Sequence, residues 1–161
     1  MTPVGTTAVL NTTAFVNGGD GDDYLSADAT LNGNAGNDFL FGGAGNNIMD
    51  GGDGNDTVVG NGGTDTVTGG AGNDTDTILV QGTPGKDIIS VSESAGAMTV
   101  TINAVSTVYA AGSTYDRVLI EAGDGEDSIT IAGYAAASGL QAFTVSGGLG
   151  NDALIVDSGA M

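Results

Sequence analysis

The sequence predicts an all-β protein, a right-handed parallel β-roll or β-helix solenoid whose turns are rich in glycine and aspartate. Three observations predict this class: a nine-residue repeat, a single apolar residue at a fixed phase of that repeat, and β-prone segments too short for helices. No apolar run reaches the ~20 residues that a membrane-spanning helix needs. We therefore expect no insertion into a membrane.

The nine-residue repeat is clearest between Gly33 and Asp74, where units follow one another without a break. Glycines at the first, second and fourth positions permit backbone torsions closed to other residues, and they predict a tight turn. The last three residues of each unit are β-prone. Two units would complete one coil, so units two apart would stack at the strand spacing of ~4.8 Å. Further copies begin at Gly18, Gly82, Ala122 and Gly147.

The eighth position of each unit carries an aliphatic residue, which we expect to face a thin core. Asp76 breaks this rule. The segment DTDTILV that contains it predicts a two-residue slip, after which Ile78 and Val80 take the inward positions.

The sixth position is acidic in every unit but one, and stacking would bring these side chains together, for example Asp38 with Asp56 and Asp56 with Asp74. At ~5 Å and an effective dielectric near 20, each facing pair costs roughly 3 kcal/mol, so the stack requires bound cations. Calcium fits best, because it accepts about six to eight oxygen ligands in flexible geometry, whereas magnesium requires a tighter octahedron. The candidate ligands are the sixth-position residues Asp23, Asp38, Asn47, Asp56, Asp65, Asp74, Asp87, Asp127 and Asp152, with Asp20, Asp53 and Asp124 at the third position.

These units resemble the RTX calcium-binding nonapeptide GGxGxDxUx, which residues 18–26, 51–59 and 147–155 match at every specified position. The resemblance implies that the first six residues of a unit form a calcium-binding turn and the last three form a strand of a parallel β-roll. It also implies export without a cleaved N-terminal signal. Asn47, Asp76 and Lys86 depart from the family pattern.

The amino-acid composition argues against nucleic-acid binding and against several kinds of catalysis. Twenty acidic residues face only Lys86 and Arg117, and the formal net charge is −18, so the surface would repel nucleic acids. The chain has no histidine or cysteine, which removes Ser-His-Asp catalysis, thiol chemistry and the usual zinc sites. Adjacent carboxylates recur with the repeat instead of meeting in one cleft, so we expect no enzyme.

The chain divides into three predicted regions. Residues 1–17 form an uncharged N-terminal β segment, residues 18–90 form the nonapeptide-repeat β-roll, and residues 91–161 continue it as a wider β-helix with two further nonapeptide turns. In the third region the alternating apolar residues of MTVTINA and VSTVYA indicate longer, half-buried strands. A small separate β-domain is the alternative for this region.

Neither end of the predicted solenoid carries an obvious cap, although solenoids usually need caps to protect exposed strand edges. We therefore expect the chain to bind other copies of itself head to tail, a contact that propagates into a filament. The leading hypothesis is a secreted structural protein of the cell surface or extracellular space, which stacks with calcium into a fibre or surface layer. The alternatives are a calcium-dependent folding and export module of a larger type I-secreted enzyme or toxin, and an adhesin module. Without calcium we expect disorder.

Overall fold

The computed structural model describes residues 7–10, 14–70, 74–133 and 140–157, and for 7–10 it describes the backbone alone. Among these residues, no helix could span a bilayer. All regular elements of the described ranges are strands. They are β1 (Thr7–Leu10), β2 (Phe15–Asp20), β3 (Tyr24–Ala27), β4 (Thr30–Ala35), β5 (Phe39–Gly42), β6 (Ile48–Asp53), β7 (Thr57–Val59), β8 (Gly63–Thr68), β9 (Thr77–Gln81), β10 (Ile88–Ser94), β11 (Ala97–Ile102), β12 (Val105–Tyr109), β13 (Arg117–Glu121), β14 (Ser128–Ala132), β15 (Ala142–Ser146) and β16 (Ala153–Asp157).

Successive coils stack in parallel and build two sheets. The first sheet has the order β1-β3-β5-β7-β9-β13-β15, and the second has the order β16-β14-β10-β11-β12-β8-β6-β4-β2. From β1 to β10 the chain passes from one sheet to the other at every strand. The predicted fold class, an all-β parallel solenoid, is thereby confirmed.

Coil length follows from the turns. Asp38 and Asp56 occupy equivalent places 18 residues apart, as two nonapeptides predict. The coil from Asp23 to Asp38 has 15 residues, because only two residues join β3 to β4 where other coils have a full turn. The coil from Asp56 to Asp76 has 20 residues and contains the predicted slip. After it, Ile78 and Val80 are buried as expected.

The core is one cluster of buried, mostly aliphatic side chains that strands of both sheets contribute. Side chains alternate along a strand, so each short strand directs one or two residues inward. Except for Leu154 in the last unit, which is 53% exposed, the aliphatic eighth-position residues are at most 1% exposed, which confirms their predicted place. They are Leu25, Leu40, Met49, Val58, Val67, Ile89 and Ile129.

The arrangement of β10, β11 and β12 differs from the wider parallel coil that we expected from the sequence. β11 runs antiparallel to both β10 and β12, and β12 pairs in parallel with β8. The reversals lie at residues 95–96 and 103–104, all of which have positive φ. Such two-residue turns suit antiparallel hairpins. The longer strands were anticipated, but they form a meander inserted into the second sheet.

The meander gives the second sheet two strands that the first sheet lacks. In the first sheet β9 pairs directly with β13, with Ile78 opposite Val118. In the second sheet β12 and β11 lie between β8 and β10. A cleft of about 300 Å³ lies beside the meander, and its walls include Val59, Leu79, Val100, Ile102 and Tyr109.

Some turn glycines lie so close to the backbone of the neighbouring coil that a larger residue would push the two coils apart. Gly52 and Gly19 provide a test of this effect. Gly52 (φ 106°) and Gly19 (φ 109°) both hold the second position of a turn. A Cβ on Gly52 would lie 2.0 Å from the carbonyl oxygen of Asn34, whereas a Cβ on Gly19 would meet nothing within 4 Å. Gly19→Ala should lower the free energy of unfolding by about 1–2 kcal/mol through backbone strain alone.

Gly52→Ala should lower the free energy of unfolding by clearly more, because two coils must also separate. Urea unfolding of both variants in saturating calcium measures the difference. Equal losses would show that backbone contact between turns does not limit coil spacing.

Candidate metal centre

Five aspartates form a column along the edge where the chain enters the first sheet. Each precedes a strand of that sheet, and each but the last donates its backbone N–H to the side chain of the next member. The N–H of Asp38 donates to Oδ1 of Asp56 at 2.8 Å, and the N–H of Asp56 donates to Oδ1 of Asp76 at 3.1 Å. We name this ladder the first column; its members are Asp23, Asp38, Asp56, Asp76 and Asp116.

In the ladder, Asp38 and Asp56 each accept a backbone N–H on one carboxylate oxygen and leave the other oxygen inside the turn. Asp38 and Asp56 are at most 2% exposed, and the Oδ2 atoms of both have no hydrogen-bond partner. A Cβ placed on Gly51 would lie 2.1 Å from Oδ2 of Asp56 and 2.6 Å from the carbonyl oxygen of Gly69. Two oxygens therefore approach the same point without a proton between them. A buried polar group in this situation needs a cation or a proton.

Backbone carbonyls complete the surroundings. A Cβ on Gly54 would lie 2.0 Å from the carbonyl oxygen of Gly36, so that oxygen faces the following turn. The carbonyl oxygen of Asn34 faces Gly52 in the same way. Within the described ranges, no three acidic side chains converge as a metal site by themselves. A metal here would combine carboxylates of adjacent coils with turn carbonyls, an all-oxygen set that suits calcium.

Burial also changes the proton affinity of these carboxylates. Desolvation, as the largest cause, raises the pKa of Asp56 to about 7, although the N–H of Asp38 opposes the shift. The charges of Asp38, Asp76 and Asp74 raise it further. Desolvation likewise raises the pKa of Asp65 to about 7. Such carboxylates are poised to exchange a proton for a metal near neutral pH.

A second column lies at the edge where the chain enters the second sheet. Before the meander its members are Ala14, Ala29, Asn47 and Asp65, and the N–H of Asn47 donates to Oδ1 of Asp65 at 2.9 Å. After the meander the ladder resumes: the N–H of Asp87 donates to Oδ1 of Asp127, and that of Asp127 to Oδ1 of Asp152. Asp65, Asp87 and Asp127 are buried, whereas Asp152 in the last coil is exposed.

The position below Asp56 requires a correction, because Asp76 and not Asp74 continues the first column. The slip that moves Ile78 inward also moves the sixth position by two residues. Asp74 stays nearby, where its Oδ2 accepts a hydrogen bond from the N–H of Gly54 at 3.3 Å. Asp116 was not predicted, although its spacing to Val118 repeats the spacing of Asp56 to Val58 and could have revealed it.

The third-position candidates lie apart from the columns. Asp20, Asp53 and Asp124 are exposed. The backbone explains their position: the N–H of Gly36 donates to the carbonyl oxygen of Asp53 at 2.9 Å, which joins the turns and leaves the side chain outside. A metal role for these three residues remains a prediction.

The pKa shifts predict how the calcium-free protein responds to pH. The pKa of Asp56 is raised from 3.8 to about 7 in the folded state, so the folded chain binds more protons between these values. Stability should therefore increase as pH falls from 8 to 5 and decrease as pH rises through 7. Because the calcium-free chain is expected to be largely unfolded at pH 8, the gain of β structure in EDTA as pH falls from 8 to 5, followed by circular dichroism, measures the slope of this pH dependence.

Asp56→Asn should flatten this pH dependence, because the titrating group is removed. Asp53→Asn removes an exposed carboxylate from the same turn and should leave the slope between pH 5 and 7 nearly unchanged. Equal slopes in all three proteins would show that general charge repulsion, and not the buried column, sets the response.

Comparison with known proteins supports this description of the turns. Residues 15–29, 26–58 and 45–76 match the model of the RTX calcium-binding nonapeptide repeat. No curated protein and no solved structure matched the chain. RTX nonapeptide repeats bind Ca²⁺ and form β-rolls, and they are a structural module of secreted proteins. The stacked turns from residue 15 to residue 76 thus belong to the RTX calcium-binding nonapeptide repeats.

Proposed function

We propose that this chain is a secreted structural protein that folds when its turns take up calcium outside the cell and then assembles end to end. The observation that supports the first step is the buried, unpartnered Oδ2 of Asp38 and of Asp56 within calcium-binding repeats. A net charge of −18 opposes compaction until cations are bound. Extracellular calcium is sufficient even for sites with dissociation constants of about 10⁻⁴ to 10⁻³ M.

Calcium removal should unfold the repeats. At pH 8 we expect circular dichroism of the EDTA-treated chain to lack β structure, and millimolar calcium should restore it, because metal binding supplies the free energy of folding. Magnesium at the same concentration should restore far less, since it demands an octahedral shell. An unchanged spectrum and melting temperature after exhaustive chelation would contradict the proposal.

The C-terminal end of the solenoid supports the second step, assembly. Leu154 and Val156 in β16 lie opposite Ile129 and Ile131 in β14, which are 1% and 6% exposed. One coil later, Leu154 is 53% exposed and Val156 is 62% exposed. The described residues therefore leave the last coil uncovered, with its apolar residues accessible to a partner.

Strand edges at the two ends match in direction. β15 and β16 are the outermost strands of the two sheets at one end, and β1 and β2 are outermost at the other. A second copy could place its β1 beside β15 and its β2 beside β16, so that both sheets continue in parallel. Such a head-to-tail contact repeats without closing and yields a fibre. Residues 1–6, 11–13 and 158–161, which flank these strands in the sequence, lie outside the described residues.

The assembly step is tested by charging the end face. In millimolar calcium, the variant Leu154→Glu with Val156→Glu should stay monomeric, because carboxylates would face the next subunit. The control variant Ile88→Glu with Val105→Glu changes two residues of similar exposure, 61% and 63%, away from the end. It should assemble like the wild type in sedimentation velocity and electron microscopy.

Wild-type chains that stay monomeric in millimolar calcium would contradict assembly. If those monomers still gain β structure with calcium, the result favours the alternative of a folding and export module. If both double variants assemble, the contact does not involve the β16 face.

A further inference from the structure

We propose that calcium is distributed unevenly in this solenoid: it holds the first column, whereas the N-terminal part of the second column, where neutral hydrogen-bonding side chains flank a single carboxylate, binds none. This inference rests on the proposed binding of calcium in the turns and assigns it to particular edges. The juxtaposition that carries it is a carboxylate in five successive coils of one edge, from Asp23 to Asp116, and only Asp65 among the four second-column positions before the meander.

From Asp23 to Asp116, the first column offers a carboxylate from both sides of each gap between coils. Asp38 faces Asp56, and Asp56 faces Asp76, each pair joined through one oxygen and a backbone N–H. The Oδ2 atoms of Asp38 and Asp56 are buried without a partner. Two negative charges at each gap favour a divalent cation, since ligand charge is a main determinant of calcium affinity.

The second column begins with residues that need no metal. Ala29 has no oxygen in its side chain. Asn47, 2% exposed, donates its Nδ2 protons to Oδ1 of Asp28 at 3.1 Å and to the carbonyl oxygen of Ala29 at 3.3 Å. Its Oδ1 accepts the N–H of Gly43 at 3.0 Å. The Asn47 amide protons therefore take the place of a cation, because they provide positive charge to the neighbouring oxygens of Asp28 and Ala29.

The meander closes this part of the column on its other side. Tyr109 pairs with Asp65 across β12 and β8, where another coil would have presented an acidic residue. The Tyr109 hydroxyl is buried and accepts the N–H of Gly60 at 3.2 Å. A Cβ on Gly60 would lie 2.5 Å from Oδ2 of Asp65 and 3.1 Å from that hydroxyl. Asp65 thus has Asn47 on one side and a neutral phenol on the other.

The meander also caps the ladder that follows it. Asn103 donates its Nδ2 to Oδ1 of Asp87 and accepts the N–H of Ile88 at 2.9 Å. The N–H of Thr83 donates to Oδ2 of Asp87 at 2.7 Å. Both oxygens of this buried carboxylate are therefore satisfied by protein atoms. In the next coil, Asp127 has a buried Oδ2 without a hydrogen-bond partner, as Asp38 and Asp56 have in the first column.

Asp56→Asn and Asp65→Asn form a matched pair for testing this distribution. Both residues are at most 1% exposed, both accept the N–H of the preceding column member on Oδ1, and both have an unpartnered Oδ2. Bound calcium per chain is measured by atomic absorption after equilibrium dialysis in millimolar calcium. Asp56→Asn should lose at least one ion per chain relative to the wild type, and Asp65→Asn should lose none.

Asn47→Asp provides the converse test. It creates two successive carboxylates with Asp65, so it should add one calcium ion per chain. An equal loss of calcium in Asp56→Asn and Asp65→Asn, or no gain in Asn47→Asp, would overturn the uneven distribution. A wild-type chain that binds no calcium would instead overturn the proposed function itself.

Discussion

In the first column, Asp38 and Asp56 are buried carboxylates whose second oxygens have no hydrogen-bond partner, and this constraint shapes the rest of the structure. Glycine turns bring the coils so close that the side chain of Asp56 packs against Gly51 and the carbonyl oxygen of Gly69. One oxygen is used to hold the preceding coil. The other makes stacking dependent on a cation or a proton, because an isolated buried charge is too costly. Pairing of these strands therefore requires that the buried carboxylates be neutralised.

The meander changes this coupling on one side only. By adding two strands to the second sheet, it separates Asp65 from Asp87 and places Tyr109 and Asn103 in the gaps. Neutral side chains with their own protons can complete a buried hydrogen-bond network without metal. The two edges of one solenoid can thus follow different chemistry although both descend from the same nonapeptide.

The ends of the solenoid follow from the same repetition. Each coil covers the apolar residue of the coil before it, so Ile129 is buried by its neighbours while Leu154 in the last described coil is half exposed. A repeat that buries its core only against the next repeat leaves an unfinished surface wherever it stops. In the assembly that we propose, a second chain would continue the series and cover that surface.

The sequence by itself determined the turns, the strands and the inward aliphatic positions, because a nine-residue unit encodes them locally through glycine torsions and alternation. It also located the slip before Ile78. It did not reveal that Asp76 replaces Asp74 in the column, that Asp116 extends it, or that Asn103 binds Asp87. Alternating strands have the same pattern whether they pair in parallel or antiparallel, and Asp76 meets a residue 40 positions away. Only the tertiary structure decides such pairings, since they depend on which coils become neighbours.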